Sequence, residues 1–373
     1  MIIAIDASNI RSGGGLTHLK HILEDAKPEH YNIQKIIIWS NEKTLKQLPD
    51  YKWLQKENSQ WLNKSFIHAF IFQAVFLSRL LLKYNVSVLF VPGGSFLGSY
   101  KNVVSMSQNM LPFEETEYKR FQKYSTRLRF KILRITQGYT FKKSKGVIFL
   151  TEYAKKAIGT ALNLKNKNII IPHGINTNFL QQPKNQKSIN EYSFSNPYRL
   201  LYVSIITAYK HQWNVAEAVL KLRQLGYPVI LDLVGEHDLE SMAKLSEILK
   251  KDENNIINVR GLVAYEELAN IYKEADGFVF ASSCENMPII LIEAMTAGLP
   301  IASSNKGPMP EILGRDGFYF DPLNVDNIFN SLKEMLDNEK KRAEFSVGSY
   351  NKSLNYTWKD CSERTFEYLS QIK

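Results

Sequence analysis

Residues 277–303 read GFVFASSCENMPIILIEAMTAGLPIAS and combine an apolar run, a polar loop, a helical pattern and a second apolar run. The runs 277–280 and 301–303 predict buried strands. Between them, Pro288 can open a helix because proline is tolerated in the first helical turn, and Gly298 can help to end it. The stretch therefore predicts a strand, a helix and a second parallel strand, which is the repeating unit of an α/β protein.

Two carboxylates lie in this unit, Glu285 in the polar loop and Glu293 inside the helix. The start of the helix would present free amide groups and the positive end of the helix dipole to the loop, which suits an anion such as a diphosphate. Glu293 lies about one and a half turns further in, on an apolar stretch where a charge is not normally buried without a partner. Taken alone, such a glutamate more often belongs to a solvated face or an ion pair.

The spacing of the two glutamates within SSCENMPIILIEAMTAGLPI resembles the nucleotide-sugar site of retaining glycosyltransferases of the GT-B fold, specifically glycosyltransferase family 4. The resemblance continues through residues 259–261, 271–278, 307–313 and 317–322 and covers roughly 195–325 densely. It is to the type found in bacterial cell-surface polysaccharide synthesis. It implies that Glu285 is catalytic and contacts the donor sugar, and that Glu293 binds the ribose. A carboxylate suits both roles because it accepts hydrogen bonds from vicinal hydroxyls.

The resemblance also implies a catalytic role for Lys210, which follows the predicted strand 200–204 and would neutralise the leaving diphosphate. Stabilisation of developing charge is commonly the largest catalytic effect. Many relatives have an arginine five residues before this lysine, where this chain has Ile205. The second phosphate-binding cation is therefore missing or comes from elsewhere, with Arg11 and Lys306 as candidates.

Three consecutive glycines, Gly13, Gly14 and Gly15, follow the first predicted strand and would let backbone amides approach a ligand closely. The triplet is not a dinucleotide fingerprint, whose third glycine would fall at His18, and it lacks the Gly-Lys-Ser/Thr of a P-loop. Similar glycosyltransferases place this loop beside the donor diphosphate and the acceptor. A simple tight turn is the alternative.

The resemblance implies further contacts near the predicted strand ends, the usual location of site residues in open α/β sheets. It assigns the nucleotide base to Leu262, and the donor sugar and diphosphate to Asn286, Met287 and Pro288 as well as to the glycines. Gln108 and Asn109 follow the strand 103–107, where related enzymes often have a histidine. These neutral amides can orient hydroxyls of the sugar or the acceptor but are poor general bases. For His173, a structural role is favoured over catalysis.

Length and composition predict two domains and no metal. A chain of 373 residues is too long for one ordinary core, and 44% hydrophobic residues is typical of a soluble globular protein. Cys284 and Cys361 cannot form a disulfide framework, and no Cys/His spacing resembles a metal site. We expect no cofactor, because the nucleotide-sugar is a substrate. No positively charged n-region precedes the strand-like run 1–6, which predicts a cytoplasmic protein without a cleavable signal.

The charge is distributed unevenly. Residues 1–190 carry 28 lysines and arginines against 11 acidic residues, whereas residues 191–373 carry 19 against 26. The basic excess peaks from Lys119 to Arg134, where cations alternate with apolar residues and no acid intervenes. As a helix, this segment would be a basic amphipathic surface of the kind that binds anionic lipid headgroups. A solvated face with nothing bound is the alternative; nucleic acid is disfavoured because no recognised module accompanies the charge.

The apolar segment 66–82 approaches transmembrane length, but His68, Gln73 and Arg79 interrupt it. It also leads directly into the predicted strand 88–91. A buried or half-buried helix of an α/β layer is therefore the favoured interpretation, and partial membrane insertion is the minority one.

Short β-branched runs alternate with helical patterns along the whole chain, which predicts parallel sheets with crossover helices. We predict a Rossmann-like acceptor-binding domain at 1–185, a linker at 181–197, and a Rossmann-like nucleotide-sugar domain at 195–355. The C-terminal helix 356–373 is expected to return to the first domain. The predicted strands are 2–7, 36–39, 88–91, 103–107, 147–150 and 169–171, then 200–204, 229–234, 256–259, 277–280, 301–303 and 317–320.

Together these features predict an α/β protein of the GT-B fold, with two Rossmann-like domains whose parallel sheets face a central cleft. The predicted activity is retaining, metal-independent transfer of a sugar from a nucleotide-sugar to a glycan or lipid-linked acceptor at the inner face of the membrane. Another GT-B enzyme, such as a sugar-nucleotide epimerase, is an alternative; a phosphorylase would need a pyridoxal-phosphate lysine site that the sequence does not show. A non-catalytic basic membrane or nucleic-acid adaptor would explain the charge but not the two carboxylates and the lysine.

Overall fold

The predicted alternation of strands and helices forms two parallel sheets in the computed structural model, which describes residues 1–372. The chain divides into two units, each with one of the sheets. Unit 1 contains residues 1–113, 124–174 and 356–372, and unit 2 contains residues 114–123 and 175–355. The main division falls between Gly174 and Ile175, and the polar stretch 181–197, which we predicted as the linker, lies within unit 2.

Unit 1 is built on a seven-stranded parallel sheet in the order β3-β2-β1-β4-β5-β6-β7. Its strands are β1 (Ile2–Asp6), β2 (Lys35–Trp39), β3 (Leu54–Glu57), β4 (Val88–Val91), β5 (Val103–Met106), β6 (Gly146–Phe149) and β7 (Lys167–Ile170). Strands β4, β5 and β6 are buried at every residue, as expected for parallel strands covered on both faces. The sequence did not predict β3 because this edge strand contains a single apolar residue, Leu54, and is only partly buried.

Unit 2 is built on a six-stranded sheet in the order β10-β9-β8-β11-β12-β13. Its strands are β8 (Tyr198–Val203), β9 (Val229–Val234), β10 (Ile257–Gly261), β11 (Gly277–Phe280), β12 (Ile301–Ser304) and β13 (Phe318–Phe320). All twelve predicted strands are present in the two units with small shifts at their ends. The strand order reverses between β8 and β11, and such a reversal opens a crevice at the carboxyl ends of the strands.

Fifteen α-helices connect the strands among the described residues. They are α1 (Gly13–Glu24), α2 (Glu42–Leu45), α3 (Phe66–Ile71), α4 (Ser78–Lys83), α5 (Glu115–Tyr118), α6 (Tyr124–Lys143), α7 (Glu152–Leu162), α8 (Gln212–Gln224), α9 (Leu239–Leu249), α10 (Tyr265–Glu274), α11 (Ile289–Thr296), α12 (Met309–Leu313), α13 (Val325–Asp337), α14 (Glu339–Ser353) and α15 (Trp358–Ser370). Helix α15 belongs to unit 1, where the Ser362 hydroxyl donates to the carbonyl of Ile22 in α1 at 2.7 Å.

The basic segment 119–134 is not a single helix, so that prediction is wrong. Helix α5 ends at Tyr118, residues 119–123 are not helical, and α6 begins at Tyr124. There the Gln122 amide donates to the carboxylate of Glu240, 118 positions away, at 3.1 Å instead of to a carbonyl one helical turn earlier. The segment therefore belongs partly to unit 2 and partly to α6 of unit 1.

The apolar segment 66–82 forms a half-buried helical layer in unit 1, made of α3, a π-helical stretch (Phe72–Leu77) and α4. Phe72 and Leu81 join the hydrophobic core, whereas Val75 and Leu82 are exposed. No helix in the described part of the chain combines the length and the apolar character needed to span a bilayer.

Candidate functional site

The candidate site lies at the carboxyl edge of the unit 2 sheet, at the reversal between β8 and β11. The segment after β8 carries Lys210, and the segment after β11 carries Glu285. Because parallel strands end at the same edge of a sheet, these two segments meet there. The ammonium of Lys210 and the carboxylate of Glu285 form an ion pair, although 75 positions separate them in the chain.

The Lys210–Glu285 pair is shielded from water. The two side chains are 6% and 14% exposed, and the rings of Tyr209 and Phe280 have their centres 5.3 and 4.8 Å from the ammonium nitrogen. The Ser282 hydroxyl donates to the same carboxylate oxygen of Glu285 at 2.5 Å. Removing one partner would leave an uncompensated charge in a largely buried environment, so each charge depends on the other.

Helix α11 begins directly after the loop that carries Glu285. Pro288 is its N-cap residue, and the loop residues Asn286 and Met287 before it are buried. The helix is followed by Gly298, whose φ is +64°, and a Cβ there would lie 2.7 Å from the backbone of Pro183. Glycine is therefore needed at this position both for the left-handed conformation and for the close approach of residue 183.

Glu293 lies in α11 and is 2% exposed. The Tyr272 hydroxyl, from α10, donates to its Oε2 at 3.0 Å. Burial raises the pKa of Glu293 to about 7, and the Tyr272 hydrogen bond opposes that rise. The carboxylate therefore changes charge near neutral pH, which makes its ionisation sensitive to any ligand that donates hydrogen bonds to it.

A cavity of about 220 Å³ lies at the carboxyl ends of β8, β9 and β10. Position 262, which the resemblance assigned to the nucleotide base, lines this cavity as Leu262. Ile205, at the position where the resemblance led us to expect an arginine, also lines it. The substitution therefore adds an apolar side chain to the wall of a cavity instead of a charge.

Sequence reasoning missed Glu117, a buried residue of α5 that belongs to unit 2. The Ser283 hydroxyl donates to the Glu117 carboxylate, and the Ser283 oxygen lies 2.9 Å from His211 Nε2. Arg120 pairs with the same carboxylate at 2.8 Å. Burial, followed by the charge of Arg120, lowers the pKa of His211 to about 4, so the imidazole is neutral at pH 7.

The hydrogen bonds that link Glu117, Ser283 and His211 support both residues of the Lys210–Glu285 ion pair. Ser283 lies two residues before Glu285, and His211 directly follows Lys210. No local pattern could have indicated Glu117, because 166 positions separate it from Ser283. Glu117 lies just before the basic segment, in a run that also contains Glu114 and Glu115, and nothing in that run distinguishes it from them.

Comparison with known proteins agrees with this geometry. The family described as "Glycosyl transferases group 1" matches residues 183–352, which contain Lys210, Glu285 and Glu293. The solved structure of WaaG, a glycosyltransferase involved in lipopolysaccharide biosynthesis, superposes with a TM-score of 0.71 at 14% identity and covers 100% of both chains. Anabaena HepE in complex with UDP-glucose gives a TM-score of 0.71 at 15% identity, also over 100% of both chains. The chain has the GT-B fold.

Relatives of this GT-B chain include an O-antigen chain mannosyltransferase B from Escherichia coli, 27% identical over 142 residues. That alignment covers 38% of this chain and 37% of the relative. A GDP-mannose-dependent alpha-(1-6)-phosphatidylinositol monomannoside mannosyltransferase from Mycolicibacterium smegmatis is 26% identical over 239 residues, or 60% of this chain and 62% of the relative. In both cases the chain spans less than two thirds of the relative's length.

In unit 1 of the GT-B chain, the three glycines form the first turn of α1 and not the expected loop, and they lie close to one of the predicted amides. Gly13 has a φ of +67° and begins α1, and a Cβ on Gly15 would lie 3.3 Å from Gln108 Oε1. Asn109 instead accepts the amide of Leu111 at 3.0 Å. The structure thus brings Gln108 to the glycines, whereas the Asn109 side chain stabilises the turn that follows.

His173 lies in the interior of unit 1, where its Nδ1 is 3.1 Å from Nδ1 of His18. Burial lowers the pKa of His173 to about 3. The next residue, Gly174, packs so closely on the start of α15 that a Cβ there would lie 2.1 Å from the Trp358 amide nitrogen. These contacts are of the kind that hold a helix, here α15, in place against the interior of unit 1.

The two proposed substitute cations have protein contacts of their own. Arg11 donates to the carbonyl of Lys64 at 3.0 Å, and Lys306 lies 3.5 Å from the carboxylate of Asp321. Within residues 1–372, no group of three or more His, Cys, Asp or Glu side chains is arranged to hold a metal ion.

Proposed function

We propose that the protein is a retaining glycosyltransferase of the family 4 type. It would transfer a sugar from a nucleotide-sugar to a glycan or lipid-linked acceptor in the synthesis of a cell-surface polysaccharide. The observation that carries this proposal is the largely buried Lys210–Glu285 ion pair at the strand reversal, with Glu293 in the adjoining helix. The O-antigen relative supports the class of acceptor.

The chemistry follows from the charges. During transfer, the bond between the anomeric carbon and the donor phosphate oxygen breaks, and the acceptor oxygen bonds to that carbon on the same face. Negative charge develops on the leaving diphosphate, where the ammonium of Lys210 can stabilise it. Positive charge develops at the anomeric carbon, which favours a carboxylate such as Glu285 nearby. The acceptor proton goes to the departing phosphate oxygen, so no protein general base is required.

In this proposal the reaction needs no divalent cation, since Lys210 supplies a positive charge for the diphosphate. The experiment is a screen of nucleotide-sugars for hydrolysis and for thermal stabilisation, with and without EDTA. We expect one donor to raise the melting temperature and to be slowly hydrolysed, and EDTA to leave the rate unchanged. Strict dependence on Mg²⁺ or Mn²⁺ would contradict this mechanism, and the absence of any response would contradict the function.

We also propose that unit 1 binds the inner face of an anionic membrane through α6. Five apolar side chains of α6 recur every three or four residues, so they form one line along the helix. They are 42% to 73% exposed: Tyr124, Leu128, Ile132, Ile135 and Tyr139. The same helix carries the cations Arg127, Arg129, Lys131, Arg134, Lys142 and Lys143.

An apolar line bordered by cations is the pattern of a helix that lies in the headgroup region of a bilayer. Each cation near such a surface contributes about 1 kcal/mol. This arrangement replaces the single basic helix that we predicted for residues 119–134. It would place the protein in the cytoplasm as a peripheral membrane protein beside a lipid-linked acceptor.

A further inference from the structure

The walls of the cavity at the ends of β8, β9 and β10 suit a flat aromatic ring. Its apolar lining comes from the strand ends, the segments after them and α10: Val203, Ile205, Val234, Leu262, Val263 and Leu268. Aliphatic side chains of this kind can contact the faces of a purine or pyrimidine ring while excluding water from it. The volume of about 220 Å³ limits the occupant to a small group.

One ionisable residue, Glu236, lines the cavity within the described part of the chain. Its position is set by its backbone, because its carbonyl accepts the Ile206 amide at 2.7 Å. The side chain is exposed, and the structure gives its carboxylate no hydrogen bond or ion pair with another described residue. Glu236 is therefore available to a ligand that enters the cavity.

A carboxylate discriminates between nucleobases by their hydrogen-bonding edges. Guanine presents two adjacent donors, N1–H and the 2-amino group, which match the two oxygens of a carboxylate. Uracil presents one N–H between two carbonyl oxygens, which would repel the carboxylate. Adenine presents one amino group next to an acceptor nitrogen. Of these three bases, only guanine can satisfy both carboxylate oxygens without a repulsive contact.

We propose that the donor is a guanosine diphosphate sugar, and that Glu236 selects its base from the wall of this cavity. The inference rests on the proposed function, because it assumes that a nucleotide-sugar binds to unit 2. Helix α10 connects the two parts of the binding site: Leu268 lines the cavity, and Tyr272 one turn later holds Glu293. A base in the cavity would thus have its ribose on the side of the Glu293 carboxylate.

The test is calorimetric titration of GDP, IDP, ADP and UDP into the wild type, Glu236→Ala and the control variant Glu253→Gln. Inosine differs from guanosine only by the missing 2-amino group, so the ratio of GDP to IDP affinity isolates one contact. Glu253 is an exposed glutamate of the same unit that does not line the cavity. Melting temperatures establish that the variants are folded.

We expect the wild type to bind GDP roughly 10- to 150-fold more tightly than IDP, ADP or UDP, which is the range for a hydrogen bond to a charged group. Glu236→Ala should bind GDP and IDP equally, whereas Glu253→Gln should retain the wild-type ratio. Tighter binding of UDP or ADP would overturn the guanine inference and leave the proposed function intact. A GDP to IDP ratio that survives in Glu236→Ala, or an equal loss for all four nucleotides, would also overturn it. If none of the four nucleotides binds to folded wild type, both the guanine inference and the proposed function are contradicted.

Discussion

Replacing Glu293 with glutamine should make the protein more stable at alkaline pH. Folding raises the pKa of Glu293 from 4.5 to about 7 through burial, and each pKa unit corresponds to about 1.4 kcal/mol. Below pH 4.5 the carboxyl group is protonated in both the folded and the unfolded chain, so its ionisation has no effect on stability. As the pH rises from 4.5 through about 7, the group ionises in the unfolded chain but stays protonated in the folded one, so the unfolding free energy falls over this range.

This difference between the pKa of Glu293 in the folded and in the unfolded chain amounts to about 3 kcal/mol of unfolding free energy. Glutamine cannot ionise, so Glu293→Gln should gain about 3 kcal/mol relative to the wild type between about pH 4 and about pH 8.5. Urea denaturation followed by circular dichroism at several pH values measures this change. The exposed Glu267 in α10 provides the control variant Glu267→Gln. A free-energy difference between Glu293→Gln and the wild type that is independent of pH would refute the reasoning.

The same carboxyl group links nucleotide binding to protons. If ribose hydroxyls donate to Glu293, they stabilise its charged form, so a nucleoside diphosphate should release protons when it binds near pH 6.5. Calorimetric titration in two buffers with different ionisation enthalpies measures the release, which should disappear in Glu293→Gln. Glu293→Ala should weaken nucleotide binding by about 1.5 to 3 kcal/mol. Unchanged affinity in a folded Glu293→Ala variant would eliminate the ribose role.

Three further outcomes are expected. Lys210→Ala and Glu285→Gln should each lower turnover by about 10²- to 10³-fold, the scale of a lost electrostatic contact in a transition state; near-normal turnover in either variant would contradict the assigned roles. Glu117→Ala should lower turnover by weakening the hydrogen bonds that support the Lys210–Glu285 ion pair. The control Glu115→Ala on the same helix, whose exposed carboxylate pairs with Lys119, should leave turnover unchanged. Equal effects of the two substitutions would exclude a positioning role for Glu117. The triple change Arg127→Glu, Arg129→Glu and Lys131→Glu in α6 should release the protein from anionic vesicles in co-sedimentation assays and leave donor hydrolysis nearly intact. Binding of the wild type to the vesicles should weaken as the salt concentration increases. Equal sedimentation of wild type and variant would reject α6 as the membrane contact.

The location of the strands, and of the loop and helix that carry Glu285 and Glu293, could be predicted because the relevant information is local. Buried parallel strands are continuous apolar runs, so β4 and β11 were predicted with the bounds that the structure has. The loop and helix 281–297 were recognisable because Pro288, Gly298 and the two glutamates all lie within one short segment. Where the local signal was weak, as in the single apolar residue of β3, the prediction failed.

The interior of the site could not be read from the sequence, because side chains far apart in the chain meet there only once the sheet has formed. The strand order places β8 beside β11 and thereby joins Lys210 to Glu285. The same topology gives Glu293 a partner, Tyr272, and a raised pKa. Burial and pairing are properties of the three-dimensional environment, so neither has a signature in the local pattern.

The basic segment 119–134 shows most clearly what the sequence determines and what the tertiary structure determines. Its sequence established the excess of cations and their alternation with apolar residues, which are matters of composition and spacing. Only the tertiary structure decided that the helix is interrupted at residues 119–123, where the Gln122 amide donates to Glu240, a residue far along the chain. It also decided which apolar side chains of α6 stay exposed, since exposure depends on what the rest of unit 1 covers. Periodicity identifies the faces of a helix, and tertiary packing determines which of them remains in contact with water.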